Sequence, residues 1–116
     1  MYSAAAAAAS DLVWERGILL KGDGLCHGLC GNLYTFIEVW RRTADPQQLS
    51  RAHAFAAVLL DDAGWRAAVG KQPDKQRRVR GMPDKPLSLM EGSAGVVACL
   101  LDLCAPESAT FPGWGV

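Results

Sequence analysis

The sequence lacks an excess of charge of either sign, which excludes functions that depend on a large net charge. Twelve lysines and arginines balance twelve aspartates and glutamates in a chain of 116 residues. A neutral chain exerts no overall attraction on nucleic acid or on an anionic membrane. We therefore predict no nucleic-acid partner, and any electrostatic contribution to function must be local.

We expect neither a signal peptide nor a membrane-spanning helix, because the sequence shows no long hydrophobic run. No basic residue precedes the N-terminal apolar stretch, which is mostly alanine and is interrupted by Ser10 and Asp11. A membrane-spanning helix needs about 20 consecutive apolar residues. We therefore expect a cytoplasmic protein without a transmembrane segment, whose four cysteines stay reduced. Peripheral membrane association stays open.

The alternation typical of β-strands is absent as well, so the pattern predicts an all-α chain of about four helices. An alanine-rich first helix should end at Gly17, and a second helix repeats apolar residues at helical spacing from Leu33 to Trp40. Asp45 supplies an N-cap oxygen for a third helix that begins at Pro46.

The third helix should continue to Ala63, fray between 64 and 70, and lead into an exposed loop rich in proline. Ser88 and Glu91 then form an S-x-x-E capping box, which predicts the start of a fourth helix. Two apolar stripes run along that helix, as expected of an element buried between neighbours. The stripes consist of Met90, Ala94, Val97, Leu101 and Cys104, and of Leu89, Val96, Leu100 and Leu103.

The chain contains an internal repeat. Residues 27–40 (HGLCGNLYTFIEVW) align with residues 91–104 (EGSAGVVACLLDLC), each with a polar residue, then G-x-x-G, then an apolar helix. Helical repeats that bury one face only by stacking build solenoids or closed toroids, and stable arrays usually need about three or more of them. Two repeats suggest a truncated array, whose partly uncovered inner faces near Leu33, Ile37 and Val97 would favour self-association.

Cys26 and His27 are the clearest candidate site. They are flanked by Gly24 and Gly28 at the mouth of the second helix, where two adjacent side chains can converge on one point. Zinc accepts thiolate and imidazole together, and a site with three protein ligands keeps one position for water or a substrate thiol. Without further context, a buried thiol beside a surface imidazole is the simpler interpretation of the pair.

The longer strings around these residues resemble the lanthionine synthetase C-like (LanC-like) family. LLKGDGLCHGLCGNLYTF is similar to the family motif G-x-C-H-G-x-x-G, while PDKPLSLMEGSAGVVACLLDL and the terminal FPGWGV are similar to its C-terminal signature. The resemblance runs from about Trp14 to Val116. It implies a toroid of paired helices, of which residues 1–116 would form the last repeats as a fragment without a second domain.

The resemblance also implies a zinc site and a reaction. Family members hold Zn²⁺ with two cysteines and one histidine, and Cys26 and His27 match two of these ligands. A zinc-held thiol adds to the double bond of a dehydroalanine or dehydrobutyrine residue and forms a thioether. The thiol belongs to the peptide in bacterial members and to glutathione in eukaryotic members, which this chain resembles more. The remaining cysteine and the proposed acid/base histidine match no residue here, so no catalytic residue is assigned.

The same resemblance implies residues that contact glutathione. Lys21 matches a basic position of this kind, and Met82, Pro83 and Asp84 match most of an R-x-P-D stretch opposite it, with Gly81 in place of the arginine. The alternative for Lys21 is a solvated loop lysine, and the bidentate clamp that the missing arginine provides would have to come from Arg80.

Three functional hypotheses therefore stay open. They are a zinc-dependent role in thioether formation, a non-catalytic helical interaction or glutathione-binding module, and an inactive truncated product. Cys30 is interpreted as a small buried helix residue rather than as a substitute zinc ligand. His53, Cys99 and Cys104 are interpreted as structural, and Trp65 and Trp114 as packing anchors.

Overall fold

The computed structural model describes residues 2–19, 21–69 and 83–114, which form five α-helices. In chain order these are α1 (Tyr2–Arg16), α2 (Leu29–Thr43), α3 (Pro46–Leu60), α4 (Asp62–Val69) and α5 (Ser93–Cys104). The described residues contain no strand, so the predicted all-α fold class is confirmed. None of the five helices is both long enough and apolar enough to cross a membrane.

Two helix boundaries lie where the local sequence predicts them. The first helix ends before Gly17, whose N–H donates to the Val13 carbonyl at 2.7 Å. At the start of α3, the Asp45 carboxylate accepts the N–H of Gln47 at 2.9 Å, and Pro46 needs no such acceptor. These boundaries depend only on neighbouring residues, which is why the sequence predicts them.

The central helix is α2, against which α1, α3 and α5 pack. Aromatic side chains join the first three helices: Phe36 meets Phe55 edge to face at 4.9 Å between ring centroids, and Trp14 stacks on Phe55 at 6.1 Å. Burying an aromatic side chain of this size contributes about 1.5–3 kcal/mol. Leu33 and Ile37, predicted to be partly uncovered, are instead fully buried because α3 and α5 both pack on α2.

The predicted third helix is divided into two, which gives five helices rather than four. Immediately after α3, the Asp61 carboxylate accepts the N–H groups of Ala63 at 3.1 Å and Gly64 at 3.0 Å, and so starts α4. The new direction buries Trp65, whose indole Nε1 donates to the Leu19 carbonyl at 3.3 Å. The prediction of one helix through Ala63 was wrong, whereas Trp65 is confirmed as a packing anchor.

The last helix begins later than its predicted capping box. The Ser88 hydroxyl accepts the Glu91 N–H at 3.2 Å, but this bond closes a turn. The Pro86 carbonyl accepts the Ser93 N–H at 2.8 Å, and the helix starts there, with Gly92 as its N-cap. Glu91 therefore belongs to the turn before α5 and not to the helix.

Only one side of α5 is buried. Gly95, Cys99 and Leu103 face the interior, whereas Val97 and Leu101 are exposed. The prediction that this helix is buried between neighbours was therefore wrong for the first of its two apolar stripes. The amino-acid pattern of α5 does not distinguish the exposed stripe from the buried one, because exposure depends on which neighbouring helices are present.

The C-terminal segment returns along α2. Arg41 donates to the Ala109 carbonyl at 2.6 Å, and Phe111 packs edge to face on Tyr34 with ring centroids 5.3 Å apart. Trp114 lies beyond these contacts and is largely exposed, so its prediction as a packing anchor was wrong.

Candidate functional site

The predicted repeat is present in the structure as two similar turns, each leading into a helix. We call residues 22–28 the first turn and residues 86–92 the second turn. The first turn ends at Gly28, the N-cap of α2, and the second ends at Gly92, the N-cap of α5. Both cap residues have extended backbone angles, so the chain enters the two helices in the same way.

The same hydrogen bond closes both turns. The Leu29 N–H donates to the Gly22 carbonyl at 3.2 Å, and the Ser93 N–H donates to the Pro86 carbonyl at 2.8 Å. Each residue of the second pair lies 64 positions after its counterpart in the first. We call residues at this offset equivalent.

The second glycine of each G-x-x-G motif permits a close approach of backbone to backbone. A Cβ atom on Gly31 would lie 2.1 Å from the Leu25 carbonyl oxygen, and one on Gly95 would lie 2.0 Å from the equivalent oxygen of Leu89. Any side chain would clash at these distances. The motif thus lets each turn fold tightly over the start of its helix.

The two turns are joined to each other. The Cys26 N–H donates to the Met90 carbonyl at 2.9 Å. A Cβ atom on Gly24 would come within 2.9 Å of the Met90 and Glu91 carbonyl oxygens, so glycine allows this contact as well. The joint brings the adjacent Cys26 and His27 to the same surface as Glu91.

The side chains of Cys26 and His27 converge. The Cys26 Sγ lies 3.6 Å from the His27 Nε2, and both residues are exposed. The alternative interpretation of Cys26 as a buried thiol was therefore wrong. Zinc–sulfur bonds of about 2.3 Å and zinc–nitrogen bonds of about 2.0–2.1 Å at a tetrahedral angle place the two ligand atoms about 3.5 Å apart. The observed spacing fits two ligands of one zinc ion.

Among the described residues, no third ligand is grouped with this pair. In the part of the chain that the structure describes, no three side chains of His, Cys, Asp or Glu lie together as a metal site would require. Cys30 is fully buried, which confirms its interpretation as a core residue, and its carbonyl oxygen lies 3.7 Å from the Cys99 thiol. Hydrogen bonding to Cys30 and burial raise the pKa of the Cys99 thiol, which keeps that thiol protonated.

A pocket of about 300 Å³ lies beside the His27 imidazole. It brings together the residues predicted for glutathione contact that the structure describes; Met82 lies outside the described residues. Glu91, which was explained as a helix cap, also lines this pocket. The lining residues are Lys21, Gly22, Gly24, His27, Pro83, Asp84 and Glu91. The charged and ionisable side chains that the described residues place at this pocket are thus an amine, an imidazole and two carboxylates.

A second pocket, of about 400 Å³, lies on the Cys26 side of the pair and was not predicted. Its walls include Leu25, Gly31, Asn32 and Phe111, and Lys21 and His27 line both pockets. Two sequence motifs contribute to this pocket: Gly31 belongs to the first G-x-x-G motif, and Phe111 belongs to the terminal F-P motif. The sequence does not show that these two motifs lie together. The Cys–His pair therefore stands between two concave surfaces.

A buried tyrosine joins the two repeat helices next to this region. The Tyr34 hydroxyl donates to the Asp102 carboxylate at 2.6 Å. Burial and this hydrogen bond raise the pKa of Tyr34, so its hydroxyl stays protonated and continues to donate. The contact holds α2 and α5 together.

Comparison with known proteins agrees with these features. Residues 1–114 match the profile of the family described as lanthionine synthetase C-like protein. The protein named glutathione S-transferase LANCL1 from Danio rerio is 40% identical over 102 residues, which cover 88% of this chain and 22% of that protein. LanC-like protein GCL1 from Arabidopsis thaliana is 35% identical over 112 residues, which cover 97% of this chain and 24% of that protein. The chain thus spans about a quarter or less of the length of these relatives.

Proposed function

Because the chain belongs to the lanthionine synthetase C-like family, we propose that Cys26 and His27 are zinc ligands and that the chain contributes to glutathione-dependent thioether formation on dehydroamino-acid residues. The observation that carries this proposal is the 3.6 Å separation of the Cys26 Sγ and the His27 Nε2 in an exposed turn. The name of the zebrafish relative supports glutathione as the thiol.

The proposed reaction is an addition without a leaving group. The thiol sulfur forms a bond to the Cβ of a dehydroalanine residue, the electron pair of the double bond moves to Cα, and Cα takes up a proton. When bound, zinc lowers the pKa of a thiol and so supplies a thiolate near neutral pH. Cys26 and His27 contribute to this step by fixing where the sulfur is held.

The pocket beside His27 has the charges that glutathione requires. Glutathione carries two carboxylates and one ammonium group, and ionic groups of opposite sign recognise them through charge-assisted hydrogen bonds. Lys21 supplies a cation for a carboxylate, while Asp84 and Glu91 supply anions for the ammonium group. In this proposal Pro83 forms the wall that positions the peptide backbone of the ligand.

The proposed reaction needs two further groups, and we assign neither of them to a residue of this chain. One is the third zinc ligand, and the other is the donor of the proton to Cα. The matched relatives are several times longer than this chain. We propose that regions like those of the relatives that this chain does not match supply the third zinc ligand and the proton donor.

One observation favours a second candidate, a non-catalytic glutathione-binding or interaction module. The described residues bring Cys26 and His27 together without a third metal ligand beside them. A chain acting alone would then bind glutathione in the pocket without activating its sulfur. The two candidates differ in whether a thioether forms.

Metal analysis of the 116-residue chain tests the zinc ligands. Zinc should bind weakly, because two protein ligands leave its coordination incomplete, and Cys26→Ala and His27→Ala should each remove it. The matched controls are Cys104→Ala and His53→Ala, which change an exposed cysteine and an exposed histidine elsewhere. Zinc binding that Cys26→Ala leaves unchanged would contradict the proposed ligand pair. Zinc that survives dialysis against a chelator would contradict the incomplete coordination.

Mass spectrometry of a dehydroalanine peptide incubated with glutathione tests the reaction. The chain alone should give no adduct above the uncatalysed rate. A hybrid in which this chain replaces the matching portion of the zebrafish relative should give the glutathione mass shift, and Cys26→Ala should abolish it. Glutathione binding by the hybrid without any adduct would instead support the non-catalytic module.

A further inference from the structure

Two of the four cysteines lie together in the interior. Cys30 on α2 and Cys99 on α5 are both fully buried, and the Cys99 thiol donates to the Cys30 carbonyl at 3.7 Å. Hydrogen bonding to the Cys30 side chain is the largest of the effects that raise the pKa of the Cys99 thiol, so the two thiols are also within reach of each other. Both are free in the structure, and the proposed reaction uses neither.

Contacts on both sides of the pair hold the two thiols in register. On the N-terminal side, Gly95 leaves room for the Leu25 side chain, which packs 2.9 Å from where a Cβ would be. On the C-terminal side, the Tyr34 hydroxyl donates to the Asp102 carboxylate at 2.6 Å. Each thiol is therefore held against the other at a fixed place between the helices, which gives it a high effective concentration for a reaction with its neighbour.

The surroundings of the pair favour a disulfide over a bound metal ion. A metal ion would convert both thiols into charged thiolates inside an apolar core, which is costly. The described residues also group no third metal-binding side chain with them. A disulfide is uncharged and needs no further partner. In compartments that keep thiols reduced, disulfides are usually transient and serve catalysis or redox sensing.

We propose that Cys30 and Cys99 form a reversible disulfide when a small disulfide oxidant such as oxidised glutathione is present, and that this bond locks α5 onto α2. One cysteine loses its proton, and its sulfur bonds to a sulfur of the oxidant and releases one glutathione thiolate. The second cysteine, also deprotonated, attacks the first cysteine's sulfur and releases the other glutathione thiolate. The two thiolates take up the two protons, so two electrons pass from the protein to the oxidant.

Because both thiols are buried, the oxidant reaches them when α5 opens. This helix is covered on one side only, since Val97 and Leu101 on its other side are 55% and 65% exposed. Segments with few buried contacts open locally at a lower free energy than the whole chain unfolds. Closing returns the two sulfurs to contact, and the new bond then opposes further opening. The inference uses neither Cys26 nor the pockets, so it stands apart from the proposed function.

Incubation of the zinc-free chain at several ratios of reduced to oxidised glutathione tests the disulfide. After alkylation of free thiols, peptide mass spectrometry should find Cys30 joined to Cys99 in oxidised buffers and both free in reduced ones. A variant with Cys26→Ala and Cys104→Ala, which lacks the two exposed thiols, should give the same result. This variant is also refolded from urea in each buffer, so that burial cannot hide the bond. Two free thiols in the most oxidised buffer from either start would overturn the proposal.

Thermal unfolding tests the lock. The bond joins residues 69 positions apart, so it should raise the midpoint of unfolding by about 10 °C or more, and dithiothreitol should reverse the shift. Cys30→Ala keeps a small apolar residue in the core and should unfold at the same temperature in oxidised and reduced buffers. Cys104→Ala is the matched control and should keep the full shift. A disulfide that lowers the midpoint, or an equal shift in Cys30→Ala, would overturn the lock.

Discussion

The first and second turns have similar backbone conformations but different exposed side chains. In both, a glycine cap leads into a helix, and the helix's first N–H bonds to the carbonyl six residues before that cap. At the two positions before the cap, the first turn has Cys26 and His27, and the second has Met90 and Glu91, all exposed. The comparison indicates that the glycines fix the backbone, while the two exposed side chains give only the first turn the thiol and imidazole of the proposed zinc site.

The helices that follow the turns differ in a second respect. The helix α2 packs against α1, α3 and α5, whereas α5 has an exposed apolar face. The difference lies in the surroundings and not in the apolar pattern, which both helices share. Stability and association should therefore respond differently to equivalent substitutions in the two helices.

The largest expected difference separates Leu33→Ala from Val97→Ala. Leu33 is fully buried, and its truncation should lower the free energy of unfolding by about 4 kcal/mol because it leaves a cavity. Val97 is exposed in the single chain, and its truncation should cost less than about 0.5 kcal/mol. Urea unfolding at a low protein concentration, where copies do not associate, measures both. Equal losses would show that α5 is as well covered as α2.

The glycines of the two turns should respond alike. Gly31→Ala and Gly95→Ala each place a Cβ about 2 Å from a carbonyl oxygen, so each should cost about 3 kcal/mol. Ala94→Ser, at an exposed position next to Gly95, is the control and should change stability by less than about 0.5 kcal/mol. Thermal unfolding compares the three. If one of the two glycine substitutions were tolerated, the two turns would not share the same close contact.

The contact of Cys99 on α5 with Cys30 on α2 should make the free energy of unfolding fall at alkaline pH. The pKa of the Cys99 thiol is raised in the folded chain, so above about pH 9 the unfolded thiol ionises while the folded one keeps its proton. This contribution is intact below about pH 9, and above it the free energy of unfolding falls by about 1.4 kcal/mol per pH unit. Urea unfolding at pH 7 to 10.5 should show a shallower loss for Cys99→Ala. Cys104→Ala, which removes an exposed thiol, should keep the native slope.

Features set by neighbouring residues could be predicted from the sequence. The end of α1 at Gly17 and the cap of α3 at Asp45 depend on contacts within a few positions. The Cys–His pair and the repeated glycines were likewise visible as motifs.

Features set by distant contacts could not be predicted. Asp61 starts a new helix in a direction that buries Trp65 against the Leu19 carbonyl, 46 positions away. Ser88 has the spacing of a helix cap, yet its bond closes a turn because the Pro86 carbonyl takes the N–H of Ser93. The second pocket depends on Phe111 reaching Gly31, which no local pattern shows.

The most direct test of the central claim moves the proposed zinc ligands from the first turn to the second. In a chain carrying Cys26→Ala and His27→Ala, the further changes Met90→Cys and Glu91→His place the same two side chains on the equivalent backbone. Titration with Co²⁺, followed by the thiolate-to-cobalt absorption in the near ultraviolet, measures binding. If the shared backbone positions the pair, the absorption lost with Cys26 and His27 returns with similar affinity. A folded chain that carries the relocated pair and shows no such absorption would contradict the account.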